Sequence, residues 1–302
     1  MRIPQRADAV AGRTRYEIEH VSRYFYTSPV RDCVMSLCLK PRDDSRQRLL
    51  SFEAATVPES PLNGEMDCFG NTKHVLNIHR KHDRLEITAR STVEIAPAAS
   101  VPNSLGAQAW DQIRSWGESL IHWDFTHASA LARPSPALTD FVEGARIERG
   151  DDPLESLLRL SDTLYRSFQY VPGSTSAVSP IEHILDSGRG VCQDYAHVMI
   201  AIARSWGVPT RYVSGYLYVT GRAGEQAPET ATHAWAECLL PDLGWIGFDP
   251  TNQTLADERH ARIAVGRDYS DVSPTRGVLQ GGGDSTLEVD VRMRRLTCPA
   301  SP

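Results

Sequence analysis

The sequence lacks an apolar run long enough to cross a bilayer, and its first residues, MRIPQRADAVAGRTR, lack the apolar core of a secretory signal. It also lacks an excess of basic residues: 32 Lys and Arg stand against 38 Asp and Glu, a net charge of −6. That balance argues against a nucleic-acid or anionic-membrane surface. Hydrophobic residues make up 41% and charged residues 23%, as in soluble globular proteins. We therefore expect no membrane and no nucleic-acid partner.

Closely spaced cysteine pairs are absent too. The six cysteines contain no CxxC motif and are scattered over positions 33, 38, 68, 192, 238 and 298. Because no secretory signal accompanies them, we expect reduced thiols and a cytoplasmic protein. Internal repeats are also missing, and the GGG at 281–283 is the one low-complexity stretch.

Strand patterns dominate the first hundred residues. The strand-like segments are TRYEIEHVSRYFYT, CVMSLCLKP, RLLSFEAATV, KHVLNIHR and RLEITARSTVEIA. Short strands at regular spacing favour an antiparallel β-sandwich-like domain over residues 1–100. The proline-containing stretch APAASVPNSLGA then marks a boundary.

In the second predicted domain, residues 101–302, a run of helices is followed by a run of strands, which favours an α+β fold class. AQAWDQIRSWGESLIHW and DDPLESLLRLSDTLYRSFQY predict helices, the first weakened by Gly117. TRYVSGYLYVT, THAWAECLL and WIGFDPT predict strands, as does STLEVDVRMRRL in the tail. The tail strand pairs either with the second domain or with the first, and the sequence leaves both open.

One cysteine stands at the start of a predicted helix. In GRGVCQDYAHVMIAIARSWGVP, apolar residues recur every three or four positions, which predicts one buried helical face ending near Trp206 and Gly207. Cys192 then lies in the first turn, where unpaired amides and the helix dipole favour an anion. A thiol in that position favours the nucleophilic thiolate, although most free cysteines are simply buried apolar residues.

A thiolate nucleophile needs a base, and the chain has ten histidines. His197 follows Cys192 by five positions, so the two side chains diverge by about 140° around the helix, and we expect His197 to be a surface or packing residue. His233 opens the strand THAWAECLL and is the candidate base. Four histidines of the β region are expected to be solvated strand residues: His20, His74, His79 and His82. Three others lie in polar or irregular segments with no acid arranged nearby: His122, His127 and His260. His183 precedes the glycine turn, and the sequence does not indicate its direction.

Strand register decides whether His233 meets Asp249. A hairpin loop with an odd number of residues places Trp235 opposite Asp249, so that His233 becomes its diagonal neighbour at roughly 7–8 Å between backbones. An even loop turns the two side chains to opposite faces. A triad in which Asp249 orients His233 therefore requires the odd register. Taken singly, His233 also fits a half-exposed strand residue, and Asp249 a turn residue before proline.

Trp235 and two cysteines near the predicted site allow further roles. Trp235 is a candidate wall of a substrate cleft, with core packing as its alternative. A zinc site from Cys192, His233 and Cys238 is disfavoured, because His233 and Cys238 are five apart on a strand and point to opposite faces. We expect no metal and no cofactor.

The segments GRGVCQDYAHVMIAIARSWGVPTRYVSGYLY, THAWAECLL and GWIGFDPTN resemble the transglutaminase-like, papain-like superfamily of cysteine enzymes over about residues 155–251. The resemblance implies Cys192 as nucleophile, His233 as base and Asp249 as orienting acid, with the cysteine helix packed on an antiparallel sheet. The β-rich start and the tail RDYSDVSPTRGVLQGGGDSTLEVDV resemble the bacterial branch that carries an N-terminal transglutaminase-like β domain. Clustered aspartates of the kind that calcium requires are absent, so calcium dependence does not carry over.

The chemistry that the resemblance implies is acyl transfer through a thioester on Cys192. We expect hydrolysis of peptide, isopeptide or side-chain amide bonds by a cysteine peptidase or amidase. A transglutaminase or amide-ligating acyltransferase is the alternative within this chemistry, and a non-catalytic transglutaminase-like binding scaffold is the alternative from another class.

The expected oxyanion donors lie at the helix start and upstream of it. The Cys192 N–H is one donor. The amide of Gln169 and the hydroxyl of Tyr170, in the FQY segment where the family places an oxyanion or wall contribution, are candidates for a second, with packing as their alternative. The expected partner is a peptide or protein substrate. The N-terminal β domain either positions a partner protein or covers the core, and the oligomeric state is open.

Overall fold

The computed structural model describes residues 12–98, 100–219 and 232–296, and its N-terminal part is an antiparallel sheet. The strands run in the order β2-β5-β1-β4-β3. Their bounds are β1 Thr14–Leu37, β2 Gln47–Val57, β3 Asn63–Met66, β4 Thr72–Ile78 and β5 His82–Ile95. The predicted antiparallel β region is confirmed. TRYEIEHVSRYFYT and CVMSLCLKP, predicted as separate strands, instead form the single 24-residue strand β1.

A bend in β1 explains how one sheet encloses a core. The pairing of β1 with β5 shifts register between Phe25 and Val30, and β4 is the partner of the second half. A register shift of this kind bends a strand and increases its twist. Buried residues from both halves form one cluster that includes Val30, Leu76 and Leu85. Both halves of β1 therefore contribute to one core within a single sheet.

The tail of the chain returns to this first sheet. Strands β13 (Thr275–Gly281) and β14 (Ser285–Leu296) both pair antiparallel with β1. In the alternating pattern of β14, Val291 and Met293 are buried, whereas Leu287 is 46% exposed. Of the two pairings that the sequence left open, the structure has the one with the N-terminal sheet.

Along the chain, between β5 and the strands of the second sheet, most of the regular structure is helical. The helices are α1 Ala109–Gly117, α2 Trp123–Thr126, α3 Pro136–Gly144, α4 Pro153–Ser167 and α5 Glu182–Ser187. The predicted α4 is confirmed, and the Asp152 carboxylate caps it by accepting a hydrogen bond from the Glu155 N–H at 2.9 Å. The first predicted helix ends at Gly117 instead of continuing to Trp123. No helix within the three described ranges is long and apolar enough to cross a bilayer.

The second sheet has five antiparallel strands in the order β11-β10-β9-β8-β12. Their bounds are β8 Thr210–Leu217, β9 His233–Leu240, β10 Gly244–Asp249, β11 Thr254–Leu255 and β12 His260–Gly266. The cysteine helix, α6 (Cys192–Ser205), packs against β8 and β9, and a short helix α7 (Tyr269–Val272) follows β12. A two-stranded parallel pair, β6 (Gln169–Tyr170) and β7 (Arg189–Gly190), leads into α6.

Helix α6 is buried on every side. The expected single buried face is wrong: all residues from Cys192 to Arg204 are buried, including His197, which is fully enclosed. The sheet covers one side of the helix, and α4, the short α2 and β7 contact it elsewhere. The polar members of the helix are held by hydrogen bonds inside the protein. The Arg204 guanidinium, for example, donates to the Thr210 carbonyl at 2.8 Å.

Two side-chain amides join the N-terminal sheet to the edge strand β12. Asn71 donates to the Val265 carbonyl at 2.7 Å and accepts from the Val265 N–H at 2.9 Å. Gln47 donates to the Arg262 carbonyl at 2.7 Å and accepts from the Arg262 N–H at 2.8 Å. Each side-chain amide gives β12 the hydrogen-bond donor and acceptor that a neighbouring strand would otherwise provide. The backbone groups of Arg262 and Val265 at the open edge of β12 are therefore paired.

Substitution of Asn71 tests this edge contact. Asn71→Ala leaves a buried N–H and a buried carbonyl of Val265 without partners, at about 1–3 kcal/mol for each group. We expect the free energy of unfolding to fall by at least about 2 kcal/mol in urea denaturation. Asn63→Ala, at an exposed position on β3, is the matched control and should change it by less than about 0.5 kcal/mol. Equal effects of the two substitutions would contradict the contact's importance.

Candidate active site

Cys192 is the first residue of α6, as the sequence predicts. The chain reaches it through Gly190, where an added Cβ would lie 2.5 Å from the Ile184 side chain and 3.0 Å from the Asp194 carboxylate. That carboxylate accepts a hydrogen bond from the Val191 N–H at 2.8 Å and fixes the first turn. The close backbone approach at Gly190 and the capping carboxylate place the cysteine where the helix dipole is positive.

Neighbouring side chains attach a loop to this helix start. Gln193 donates to the Ala177 carbonyl at 3.1 Å, and Thr175 donates to the Asp194 carboxylate at 2.5 Å. Burial is the largest influence on Asp194 and raises the pKa of its carboxyl. The Gln193 amide is thus engaged with the loop and not directed at Cys192.

The hairpin of β9 and β10 has the odd register that the triad requires. A three-residue turn, residues 241–243, separates the strands, and Phe248 pairs with Ala236. The next position along the ladder sets Asp249 opposite Trp235, which makes His233 its diagonal neighbour. His233 Nε2 lies 2.7 Å from Asp249 Oδ2. The predicted register is confirmed.

Cys192 interacts with the same imidazole. Its side chain lies near enough to His233 for a hydrogen bond and its charge to raise the pKa of the ring. Burial alone lowers the pKa of His233, but the Asp249 carboxylate and Cys192 together raise it well above its usual value. The three predicted residues therefore converge in one largely buried cluster.

Asp249 is surrounded by hydrogen-bond donors. Its side chain is fully buried, and Oδ2 accepts from Asn252 Nδ2 at 2.7 Å as well as from His233. His260 Nε2 lies 3.3 Å from the same oxygen. Burial alone raises the pKa of this carboxyl, but the charge and hydrogen bond of His233, with those of His260, hold it far below its usual range.

Sequence reasoning missed His260 and Asn252. The expectation that no acid lies near His260 is wrong: Asp249 is on one side of the ring, and Asp257 Oδ1 is 3.0 Å from Nδ1 on the other. One signal was available, since Asp257 precedes His260 by three residues and HARIAVG has a strand composition. Expected solvation fails for two other histidines, since His20 and His82 are both buried.

Trp235 is fully buried, so it does not line an open cleft, and the packing role considered beside it is the one observed. Its ring stacks on His233 and meets His260 edge to face, with centroid distances of 6.0 and 5.2 Å. The flanking strands have glycines there: a Cβ on Gly215 would lie 2.5 Å from the indole, and one on Gly247 would lie 3.2 Å from it. The indole thus lies under the site as a packed support.

The upstream candidates lie beside the approach to Cys192. Gln169 and Tyr170 form β6 and pair with Arg189 and Gly190, and both side chains are exposed. The Tyr170 side chain is 49% exposed. Whether either side chain contacts an oxyanion stays a prediction.

The distances between the side-chain atoms of this cluster bear on whether it binds a metal ion. Ligand atoms of His233, Asp249 and His260 lie within 4.8 Å of one another. The Nε2–Oδ2 separation of 2.7 Å between His233 and Asp249 is that of a hydrogen bond. Two ligands on a tetrahedral zinc ion lie about 3.3 Å apart, so the arrangement present is a proton-linked cluster.

Cys238, from the disfavoured zinc set, is instead a buried acceptor for Thr210 Oγ1 at 3.6 Å. The cysteines in the described residues are all free: Cys33, Cys38, Cys68, Cys192 and Cys238.

Two family models match the chain. The transglutaminase-like superfamily model covers residues 144–250, which include Cys192, His233 and Asp249. The model of the bacterial transglutaminase-like N-terminal region covers residues 16–94. The chain belongs to the transglutaminase-like superfamily. Within it, the chain belongs to the bacterial branch whose core is preceded by this N-terminal region.

The chain is also similar to individual proteins. An uncharacterised protein of Mycobacterium leprae is 30% identical over 287 residues, which cover 93% of this chain and 99% of the relative. A protein-glutamine gamma-glutamyltransferase of Pseudomonas aeruginosa is 34% identical over 96 residues, 29% of this chain and 14% of the relative. The crystal structure of a candidate cysteine protease from Cytophaga hutchinsonii shares the fold, with a TM-score of 0.74, 18% identity, and coverage of 97% of this chain and 94% of that one.

The raised pKa of His233 predicts its behaviour in solution. We expect its imidazole to remain doubly protonated above pH 7 in ¹⁵N-histidine NMR, since an unperturbed histidine titrates near 6.5. A folded-state pKa above the unfolded one stabilises the protein fully below about pH 6.5, and this contribution is lost as the pH rises through the folded pKa.

Removal of the carboxylate charge should reverse this behaviour. Asp249→Asn should lower the pKa of His233, because the largest influence that raises it is gone. Asp32→Asn, which removes an exposed carboxylate 2.9 Å from His79, is the matched control and should leave His233 unchanged. Titration of His233 at or below pH 6.5 in the unmodified protein would contradict the assignment.

Proposed function

We propose that the protein is a thiol acyl-transfer enzyme that cleaves peptide, isopeptide or side-chain amide bonds, with Cys192, His233 and Asp249 as its catalytic triad. One observation carries the proposal: the His233 ring bonds Asp249 at 2.7 Å through Nε2 and also interacts with the helix-start cysteine. A nucleophile, a base and an orienting acid in this order are what covalent acyl transfer requires.

The reaction has two steps. In the first, the Cys192 thiolate attacks the amide carbonyl carbon, and the tetrahedral intermediate collapses as the carbon–nitrogen bond breaks. His233 gives a proton to the departing amine, which leaves a thioester on Cys192. In the second, His233 takes a proton from water, the resulting hydroxide attacks the thioester, and the thiolate is released.

The oxyanion of the intermediate needs donors in place before the reaction. The Cys192 N–H belongs to the first turn of α6, where an α-helix leaves its amides without intrahelical acceptors. It is the first proposed donor. Gln169 and Tyr170 remain the candidates for the second, because β6 pairs with β7 two residues before the cysteine.

Hydrolysis is the first choice of acceptor reaction, and amine transfer is the alternative. The fold shared with the Cytophaga hutchinsonii candidate cysteine protease is compatible with hydrolysis. The segment related to the Pseudomonas aeruginosa glutamyltransferase favours an amine as the group that opens the thioester. The triad chemistry is common to both reactions, which differ only in whether water or an amine attacks.

Alkylation tests the thiolate without a known substrate. We expect iodoacetamide to label Cys192 below pH 7 faster than the exposed Cys68, as located by peptide mass spectrometry. His233→Ala should abolish the preference, because the imidazolium partner is lost. Cys68→Ser is the control and should leave the Cys192 rate unchanged. Slow, uniform labelling of all thiols would favour a non-catalytic scaffold.

Turnover tests the triad and the acceptor together. With a glutamine-containing peptide and an amine probe, ammonia release without conjugate indicates hydrolysis, and conjugate indicates transfer. Cys192→Ala should lose all detectable turnover, whereas Asp249→Asn should retain a remainder about two to four orders of magnitude below wild type. Wild-type activity in Cys192→Ala would overturn the proposed function.

A further inference from the structure

We infer that His260 is a positioning residue of the triad: a second histidine that donates a hydrogen bond to Asp249 and holds that carboxylate in the orientation that His233 needs. The inference rests on the proposed function and goes beyond it, since a cysteine–histidine–aspartate triad has one histidine. It begins from the distance of 3.3 Å between His260 Nε2 and Asp249 Oδ2, the same oxygen that bonds His233.

The other nitrogen of His260 determines where its proton lies. Nδ1 is 3.1 Å from the backbone N–H of Asp257, which donates to it, and 3.0 Å from the Asp257 carboxylate. When Nδ1 accepts from the backbone, the ring proton is on Nε2; when the ring is doubly protonated, Nε2 also carries one. If Nε2 carried no proton, its lone pair would face the ionised Asp249 carboxylate, and the two would repel each other. In both favoured states, His260 therefore donates to Asp249.

Burial makes this donor important. Asp249 is fully buried and His260 is 3% exposed, so the bond is made away from bulk water, where the loss of a donor to a carboxylate is costly. The Trp235 ring packs edge to face on His260 and stacks on His233, which fixes the two imidazoles relative to each other. A cavity of about 30 Å³ beside His260 is lined by the charged side chains of Arg46, Glu237, Asp257 and Arg262. Each carboxylate among these is paired with an arginine: Glu237 with Arg211 and Arg262, and Asp257 with Arg259.

Asn252 and the backbone also donate hydrogen bonds to Asp249, but they approach it from other directions than His260 does. Asn252 Nδ2 donates to Oδ2 at 2.7 Å, and the Thr251 N–H donates to Oδ1 at 3.1 Å. These donors come from the turn directly after Asp249, whereas His260 comes from β12, on the far side of β8 and β9. Among the described residues, the carboxylate without His260 is held by its own turn and by the imidazole that it must orient.

Three substitutions of His260 separate positioning from packing. The amide nitrogen of Gln reaches the position of Nε2, that of Asn reaches the position of Nδ1, and Leu has no donor. We expect the rate of Cys192 alkylation below pH 7, and kcat once a substrate is known, to fall about 10- to 100-fold in His260→Leu and His260→Asn, with KM little changed. His260→Gln should stay within about threefold of wild type, because it restores one donor to Asp249.

His20→Leu is the matched control. His20 is equally buried, has two side-chain partners at 2.9 Å and contacts none of Cys192, His233 or Asp249. Its loss should change thermal stability but not the alkylation rate. If His260→Leu fails to fold, the comparison of Gln with Asn still decides. Assays are run with a chelator, so that a bound metal ion cannot imitate the effect.

The outcomes separate this inference from the proposed function. If His233→Ala leaves Cys192 alkylation unchanged, the proposed function fails. If His233→Ala abolishes it while His260→Leu matches His20→Leu, or while His260→Gln is as slow as His260→Asn, only the positioning role of His260 is overturned.

Discussion

The structure of the site depends on one buried negative charge. The Asp249 carboxylate has no contact with solvent, and burial of an unpaired carboxylate would be prohibitive. It is retained because donors from three separate segments reach it: His233 on β9, Asn252 in the turn after β10, and His260 on β12. The same charge keeps the His233 imidazole protonated and directed at Cys192.

The need to pair that charge limits how the strands of the second sheet are arranged. The three-residue turn between β9 and β10 sets the parity that brings His233 and Asp249 to one face, and a turn one residue longer would separate them. Glycines at positions 215 and 247 leave space over the sheet for the Trp235 indole, which supports both imidazoles. The same strand register and the same glycines therefore position the site residues and allow the sheet to pack.

How far the sequence predicts this arrangement depends on how local each contact is. Cys192 follows from its position at a helix start, and the His233–Asp249 pair follows from the parity of a short hairpin, so both were predictable. The donor role of His260 was not, because it depends on β12 pairing beside β8, an order that no local pattern specifies. The burial of α6 on all sides was missed for the same reason, since its second covering layer comes from distant helices. The sequence predicts two strands where the structure has the single strand β1, because the residues at its bend are of the types usually found in loops.

The amide contacts of Asn71 and Gln47 with β12 bear on how freely the two parts of this protein can be recombined. The strand that carries His260 has its outer edge completed by the N-terminal sheet, and β13 and β14 return to β1 to complete that sheet in turn. A transglutaminase-like core transplanted alone into a fusion protein would present unsatisfied backbone on the strand beside the candidate site. In this architecture the N-terminal region is part of the scaffold and not a detachable accessory.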